Sequence, residues 1–173
     1  MASIIKVDTI QKPDGTAPSA DDLGVNVAGN ILQVDHDIIY TSHAVNTDSW
    51  AYANVGVELT AKKDNSKFLV VINYHTRFNQ GDQHGVAPFV SINGGAYSII
   101  TTSTTFNETN RLHIGNTGQI IWTMDCQHHL YSPNLSKGQT FGARLYHKSR
   151  QGGLQYINDN GGGSSVTVYE IAG

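Results

Sequence analysis

The feature that most restricts the fold is a recurrence of short β-branched and aromatic runs between clusters of Gly, Asn, Asp and Ser, with no helical period separating them. Nine runs read as strands: Ile31 to Tyr40, Val55 to Ala61, Lys67 to Phe78, Val86 to Ile92, Tyr97 to Thr102, Gly118 to His128, Gln139 to Lys148, Leu154 to Asn158 and Ser165 to Ile171. Phe141, Ala143 and Leu145 alternate with Gly142, Arg144 and Tyr146, the period of a strand with one buried and one wet face. Phe68, Val70, Ile72 and Tyr74 repeat that pattern, and because Leu69 and Val71 on the alternate face are also apolar, this strand is expected to be central. Asn93-Gly94, between Ile92 and Tyr97, supplies two residues that tolerate positive φ and predicts a tight hairpin. The expected fold is all-β: an antiparallel jelly-roll-like β-sandwich preceded by an extended N-terminal arm, with an up-and-down barrel as the main rival.

Residues 1–34 differ from the rest. Lys12-Pro13-Asp14-Gly15-Thr16-Ala17-Pro18 is turn chemistry, and Gly24, Gly29 and Asn30 interrupt the stretch between it and the first strand, so an attachment arm is expected over 1–34 and a head domain over 35–173. Only one Cys is present among 173 residues, so burial rather than an intramolecular disulfide must hold the head together. Cys126, in the run Ile121-Trp122-Thr123-Met124-Asp125-Cys126, is expected to be a small buried hydrophobe, with Trp122 filling the core beside it.

The charge pattern excludes several partners. Charged residues make up 14% of the chain and the net charge is -3 without a basic cluster, which offers neither nucleic acid nor an anionic membrane an electrostatic footprint. No run approaches the roughly 20 apolar residues of a bilayer span, and the start MASIIKVDTI lacks the apolar core of a signal peptide, so neither membrane insertion nor export is expected. The Gly run in NDNGGGSS leads into a strand rather than a helix, which is wrong for a phosphate cradle.

Eight His are present, and no pair has helical metal-site spacing. His75, Asp125 and His147 lie on three expected strands and would converge only if those strands were adjacent and in register, so neither a metal nor another cofactor is expected. There is no G-x-S-x-G elbow, and the carboxylates are dispersed except for Asp21-Asp22 and the pair Asp35/Asp37 around His36, so no catalytic residues are assigned and an enzyme is not expected. Two long polar segments, 79–85 and 107–117, are candidate receptor-contact loops through Gln80, Asp82, His84, Asn107, Arg111 and His113, and equally readable as plain connections. Trp50, in a polar stretch, and Tyr131 are candidate surface aromatics.

Four segments carry a family resemblance. Ser3-Ile4-Ile5-Lys6-Val7-Asp8-Thr9-Ile10 with Asp14-Gly15-Thr16 resembles the start of many tail-fibre-like virion proteins of marine phages and cyanophages, which commonly read S-x-I-K-V-D-T-I. The end, from Gly163-Ser164-Ser165 through Glu170-Ile171-Ala172-Gly173, is similar to their S-S-x-T-V-x-E-I-A-G. Asn65-Ser66-Lys67-Phe68-Leu69-Val70-Val71 resembles their S-S-K-I-L-V strand, and Leu130-Tyr131-Ser132-Pro133 stands where L-D-S-P is common, with Tyr131 replacing Asp. The resemblance implies a virion protein assembled in the bacterial cytoplasm, a homotrimer whose arm binds other virion proteins and whose head meets a host-surface glycan or protein. The family has no common catalytic residues. Because no collagen-like, heptad or β-helix repeat supplies a shaft, a short knob or a capsid decoration protein is the alternative, and a polysaccharide-binding or hydrolytic head a third.

Overall fold

The structure is a computed structural model that describes residues 10–19, 22–23, 28–78, 83–100, 110–113, 121–149 and 153–173. Its strands are β1 (Ile31–Ile39), β2 (His43–Val45), β3 (Ala51–Thr60), β4 (Lys67–Phe78), β5 (Gln83–Ile92), β6 (Ser98–Ile99), β7 (Asn110–His113), β8 (Ile121–Tyr131), β9 (Thr140–Ser149), β10 (Gln155–Ile157) and β11 (Ser164–Ile171). In the first sheet β1 pairs β11, β11 pairs β4 and β4 pairs β8, while β10 takes over from β11 along the last turn of β4 and carries β2 on its far side. The second sheet runs β3, β9, β5, and the far edge of β5 is shared by β7 and β6. All these pairings are antiparallel. First and last strands lie side by side, and consecutive long strands alternate between sheets, which is a jelly-roll path and not that of an up-and-down barrel.

The sandwich forms where the alternation places it. Phe68, Val70 and Ile72 of β4 and Phe141, Ala143 and Leu145 of β9 point into the interior with no exposed surface, and the rings of Phe68 and Phe141 stack at 4.2 Å. β4 is central, with β8 along one edge and β11 then β10 along the other. The arm expected over 1–34 ends four residues early, because Ile31 already pairs with Ile171. Within 10–23, the Asp14 carboxylate accepts from the Thr16 amide at 2.9 Å and closes the turn at Gly15.

Cys126 corrects the expectation of a buried hydrophobe: it is exposed on β8. Tyr74 and Ile72 of β4 point inward, and their partners Asp125 and Gln127 share that direction, so the alternate residues Met124 and Cys126 face outward. The side chain of Trp122 lies outside the described residues.

Asn93 and Gly94 have φ of +53° and +72°, and the Ile92 carbonyl accepts from the Gly95 amide at 2.9 Å, the paired positive-φ turn that Asn-Gly predicts. An L side chain at Gly94 would be held in the left-handed region, so Gly94→Ala is expected to lower the unfolding free energy by about 1 kcal/mol. Urea titration checks this, and a loss indistinguishable from zero would mean the turn contributes nothing.

Candidate functional site

The interior changes character along its length. Past Ile72 and Leu145, the inward positions of β4 and β9 become Tyr74, Thr76, His147 and Ser149, and His84 of β5 and Gln155 of β10 join them, all buried. Thr76 and Thr123 share a 2.8 Å hydrogen bond between sheet neighbours β4 and β8. Gln127 donates to the Tyr74 hydroxyl at 3.0 Å, and that hydroxyl donates to the Asp125 carboxylate at 3.1 Å. His43 Nδ1 and His147 Nε2 lie 2.7 Å apart, one imidazole donating to the other across the gap between β2 and β9.

Burial governs the chemistry of these rings. Desolvation pushes His147 down to about 3, the nearby His43 and His84 rings push the same way, and only the Gln155 amide opposes them. Desolvation likewise lowers His84 to about 4, again against Gln155, and it lowers His43. The rings are therefore neutral at physiological pH, and the His43–His147 bond ties β2 of the first sheet to β9 of the second. Among the described residues, no three His, Cys, Asp or Glu side chains are grouped to hold a metal ion. The condition for His75, Asp125 and His147 to converge is not met: His75 pairs with Met124 on β4 and β8, Asp125 bonds Tyr74, and His147 belongs to the opposite sheet.

This polar layer lies beneath one end of the sandwich. Phe78, Gln83, His113, Ile121 and Ser149, which flank the segments 79–82, 114–120 and 150–152, are all at this end, as their pairings with one another or with neighbours show. Gln80, Asp82 and Asn107 lie outside the described residues. Arg111 and His113 are on β7, opposite Gly85 and Gln83, so they stand on a strand rather than a loop. His84 is corrected outright: it is 3% exposed, inside β5, and supports the end of the sandwich from below instead of reaching a receptor.

The candidate aromatics separate. Trp50 is half-buried on the outer face of the second sheet, its ring edge-on to Phe89 at 5.3 Å and under the Lys148 ammonium at 4.8 Å. A Cβ at Gly85 would sit 2.9 Å from the Trp50 ring, so that glycine provides the room in which the indole lies. The same face continues through Phe89 stacked on Tyr146 at 4.2 Å, and Arg144 lies between the Tyr52 and Tyr97 rings at 4.8 and 4.0 Å. Sequence alone singles out Trp50 but not this ladder, whose other members come from β3, β5 and β9 and from Tyr97 after the Asn-Gly turn. Tyr131 corrects the other way: it packs against the core at the opposite end, with Phe141 at 5.9 Å and Phe68 as its pairing partner.

That opposite end receives the N-terminal segment. Gly29 donates to the Ala172 carbonyl at 2.9 Å and Ala172 to the Asn30 carbonyl at 2.8 Å, beside Lys67 at the start of β4. Here also sits a group that no sequence motif announces, the fully buried Glu170 carboxylate. It accepts from the Lys62 amide at 2.7 Å, the Lys63 amide at 3.3 Å, the Ser66 hydroxyl at 2.7 Å and the Gln33 amide at 2.6 Å. A search of known family models and of curated proteins finds no match to this chain.

Proposed function

We propose that this chain is a phage virion surface protein, a short tail fibre or knob, whose β-sandwich head meets a host-surface glycan or protein and which assembles as a homotrimer. The observation that carries the reading is the polarity of the head. The N-terminal segment joins at the Lys67 end of β4, and the strand ends flanking 79–82, 114–120 and 150–152 stand at the Phe78 end. Twelve residues of β4 separate the two, on the order of 40 Å at strand rise. A chain tethered at one end, with three of its connecting segments at the other, suits attachment to a particle and contact with a surface.

A second observation supports the family likeness. Ser66 and Glu170 come from two segments that separately resemble phage fibre proteins, and they bond each other, so the two stretches are parts of one structural device.

The function is tested by incubating purified protein with bacteria susceptible to the phage that encodes it. Binding that survives removal of residues 1–23 and is lost on replacing 79–82 and 114–120 is the expected result. Binding lost with the arm and retained without those segments would overturn the assignment of the tip. Absence of binding, together with labelling of the capsid rather than the tail in electron micrographs of virions, would establish the decoration-protein alternative.

A further inference from the structure

The outward face of the first sheet is unlike a solvent-facing sheet. Register places Val34, Tyr169, Leu69 and Leu130 in one row across β1, β11, β4 and β8. The next rows are His36, Thr167, Val71, His128 and then Ile38, Ser165, Asn73, Cys126. A further row brings His75 beside Met124, with Tyr40 lying over Gly163. None of these residues is Asp, Glu, Lys or Arg, whereas the wet face of an antiparallel sheet ordinarily carries polar and charged side chains. The exposed large hydrophobics of the head, Leu154 apart, are on β1, β8 or the residue after β1: Met124 is 83% exposed, Leu130 60% and Val34 50%. β8 is reversed relative to a simple core strand, with Asp125 and Gln127 on the inward side and Met124, Cys126 and Leu130 on the outward one.

We infer that this face, bounded by β1 and β8, is the surface through which copies of the chain associate with one another. Three features choose a second copy as occupant. Between Lys67 and Arg77 at its two ends the face carries no charged side chain, so around a threefold axis the β1 side of one copy meets the β8 side of the next without like-charge repulsion, and its His, Thr, Ser and Asn groups offer both donors and acceptors to that contact. Four strands at about 4.8 Å and four rows at about 6.8 Å give a flat footprint on the order of 500 Å², which side-chain relief raises toward the roughly 800 Å² per partner of a stable complex. Among the described residues β8 pairs only with β4, so an edge of 11 residues is open beside the apolar face, the kind of edge that folded chains cover. The inference deepens the trimer reading above and rests on it for stoichiometry.

The native Cys126 is a built-in reporter, being the single thiol and lying on β8, the open-edge side of the face. Full-length protein at mildly alkaline pH is measured for mass by light scattering and for thiol labelling by a maleimide. The wild type is expected to be oligomeric with a protected thiol. The variant Val34→Glu/Leu130→Glu is expected to be monomeric, with labelling at least ~10-fold faster. Glu58→Gln, at an exposed position of β3 in the other sheet, should leave both readings unchanged. An oligomer whose Cys126 labels as fast as a denatured control, or whose mass survives the double variant, overturns the face and leaves the trimer standing. A monomeric wild type overturns both. Because thiol protection in the wild type requires no substitution, misfolding of the double variant would not prevent a decision.

Discussion

Acidifying the protein from about pH 6 to about pH 4 is expected to remove on the order of 4 kcal/mol of stability, a large share of what a domain of this size possesses. The cause is the buried histidine group. His147 and His84 are held down to about 3 and about 4 by loss of solvent, while in the unfolded chain each titrates near its ordinary value of 6.5. Above that value the rings are neutral in both states and pH has no leverage through them. As pH falls below it, the unfolded chain binds two protons that the folded chain does not, and stability drops by up to about 1.4 kcal/mol per pH unit for each ring. The drop levels off as pH passes through the folded values. His43, lowered in the same direction and bonded to His147, adds to it.

Urea midpoints measured at intervals across this range check the expectation. The variant His84→Phe/His147→Leu should start from a different stability at neutral pH but show a much shallower slope below pH 6. An unchanged slope would assign acid sensitivity to carboxylates and remove the histidines from the account. The consequence for function is direct, because the strands carrying these rings end where the proposed contact segments begin. Protonation would loosen this end of the sandwich before the end built on Phe68 and Phe141.

Strands are legible in the sequence where a run is long enough for period two to repeat several times, whereas the expected Tyr97 to Thr102 yields only Ser98–Ile99 as β6 among the described residues. β4 is legible to the residue. β2 and β7, three and four residues of His-Ala-Val and Asn-Arg-Leu-His, carry no periodicity and exist because β10 and β5 offer them an edge. Facing is less legible than existence. On β8 both alternate sets contain apolar residues, and only register against β4 decides that Gln127 points in and Cys126 out. His84 reads as a loop residue because Asn79 to Gly85 is polar throughout, yet pairing with Ser149 brings it into β5 and under cover. The buried polar layer is invisible for a different reason: its members come from β2, β4, β5, β8, β9 and β10, and only the pairing of those strands brings them together.

Replacing Glu170 with Ala is expected to lower the unfolding free energy by about 3–5 kcal/mol and the melting temperature by roughly 10–15 °C. The carboxylate has no exposed surface, and four donors converge on it: two loop amides, a hydroxyl and a side-chain amide. Charge-assisted hydrogen bonds of this kind are worth about 1.5–3 kcal/mol each, and deleting the acceptor leaves each buried donor to bear its own desolvation cost. Some of that loss is recovered because Lys62 and Asp64 lie at the surface, so water can reach the loop. Glu170→Gln preserves the volume and one oxygen but turns a donor toward Gln33, whose amide also bonds the Thr60 carbonyl at 2.7 Å and cannot reverse without losing it. An intermediate loss of about 1–3 kcal/mol is therefore expected for that variant. Hydrogen exchange locates the effect: the Lys62 and Lys63 amides should lose protection in Glu170→Ala well before those of β9. A variant within about 1 kcal/mol of wild type would show that the loop, Gln33 and the last strand hold together without the carboxylate. The expected result instead makes the glutamate of the terminal segment the clasp that fixes loop 62–66 and β1 to β11, at the end of the head where the arm departs.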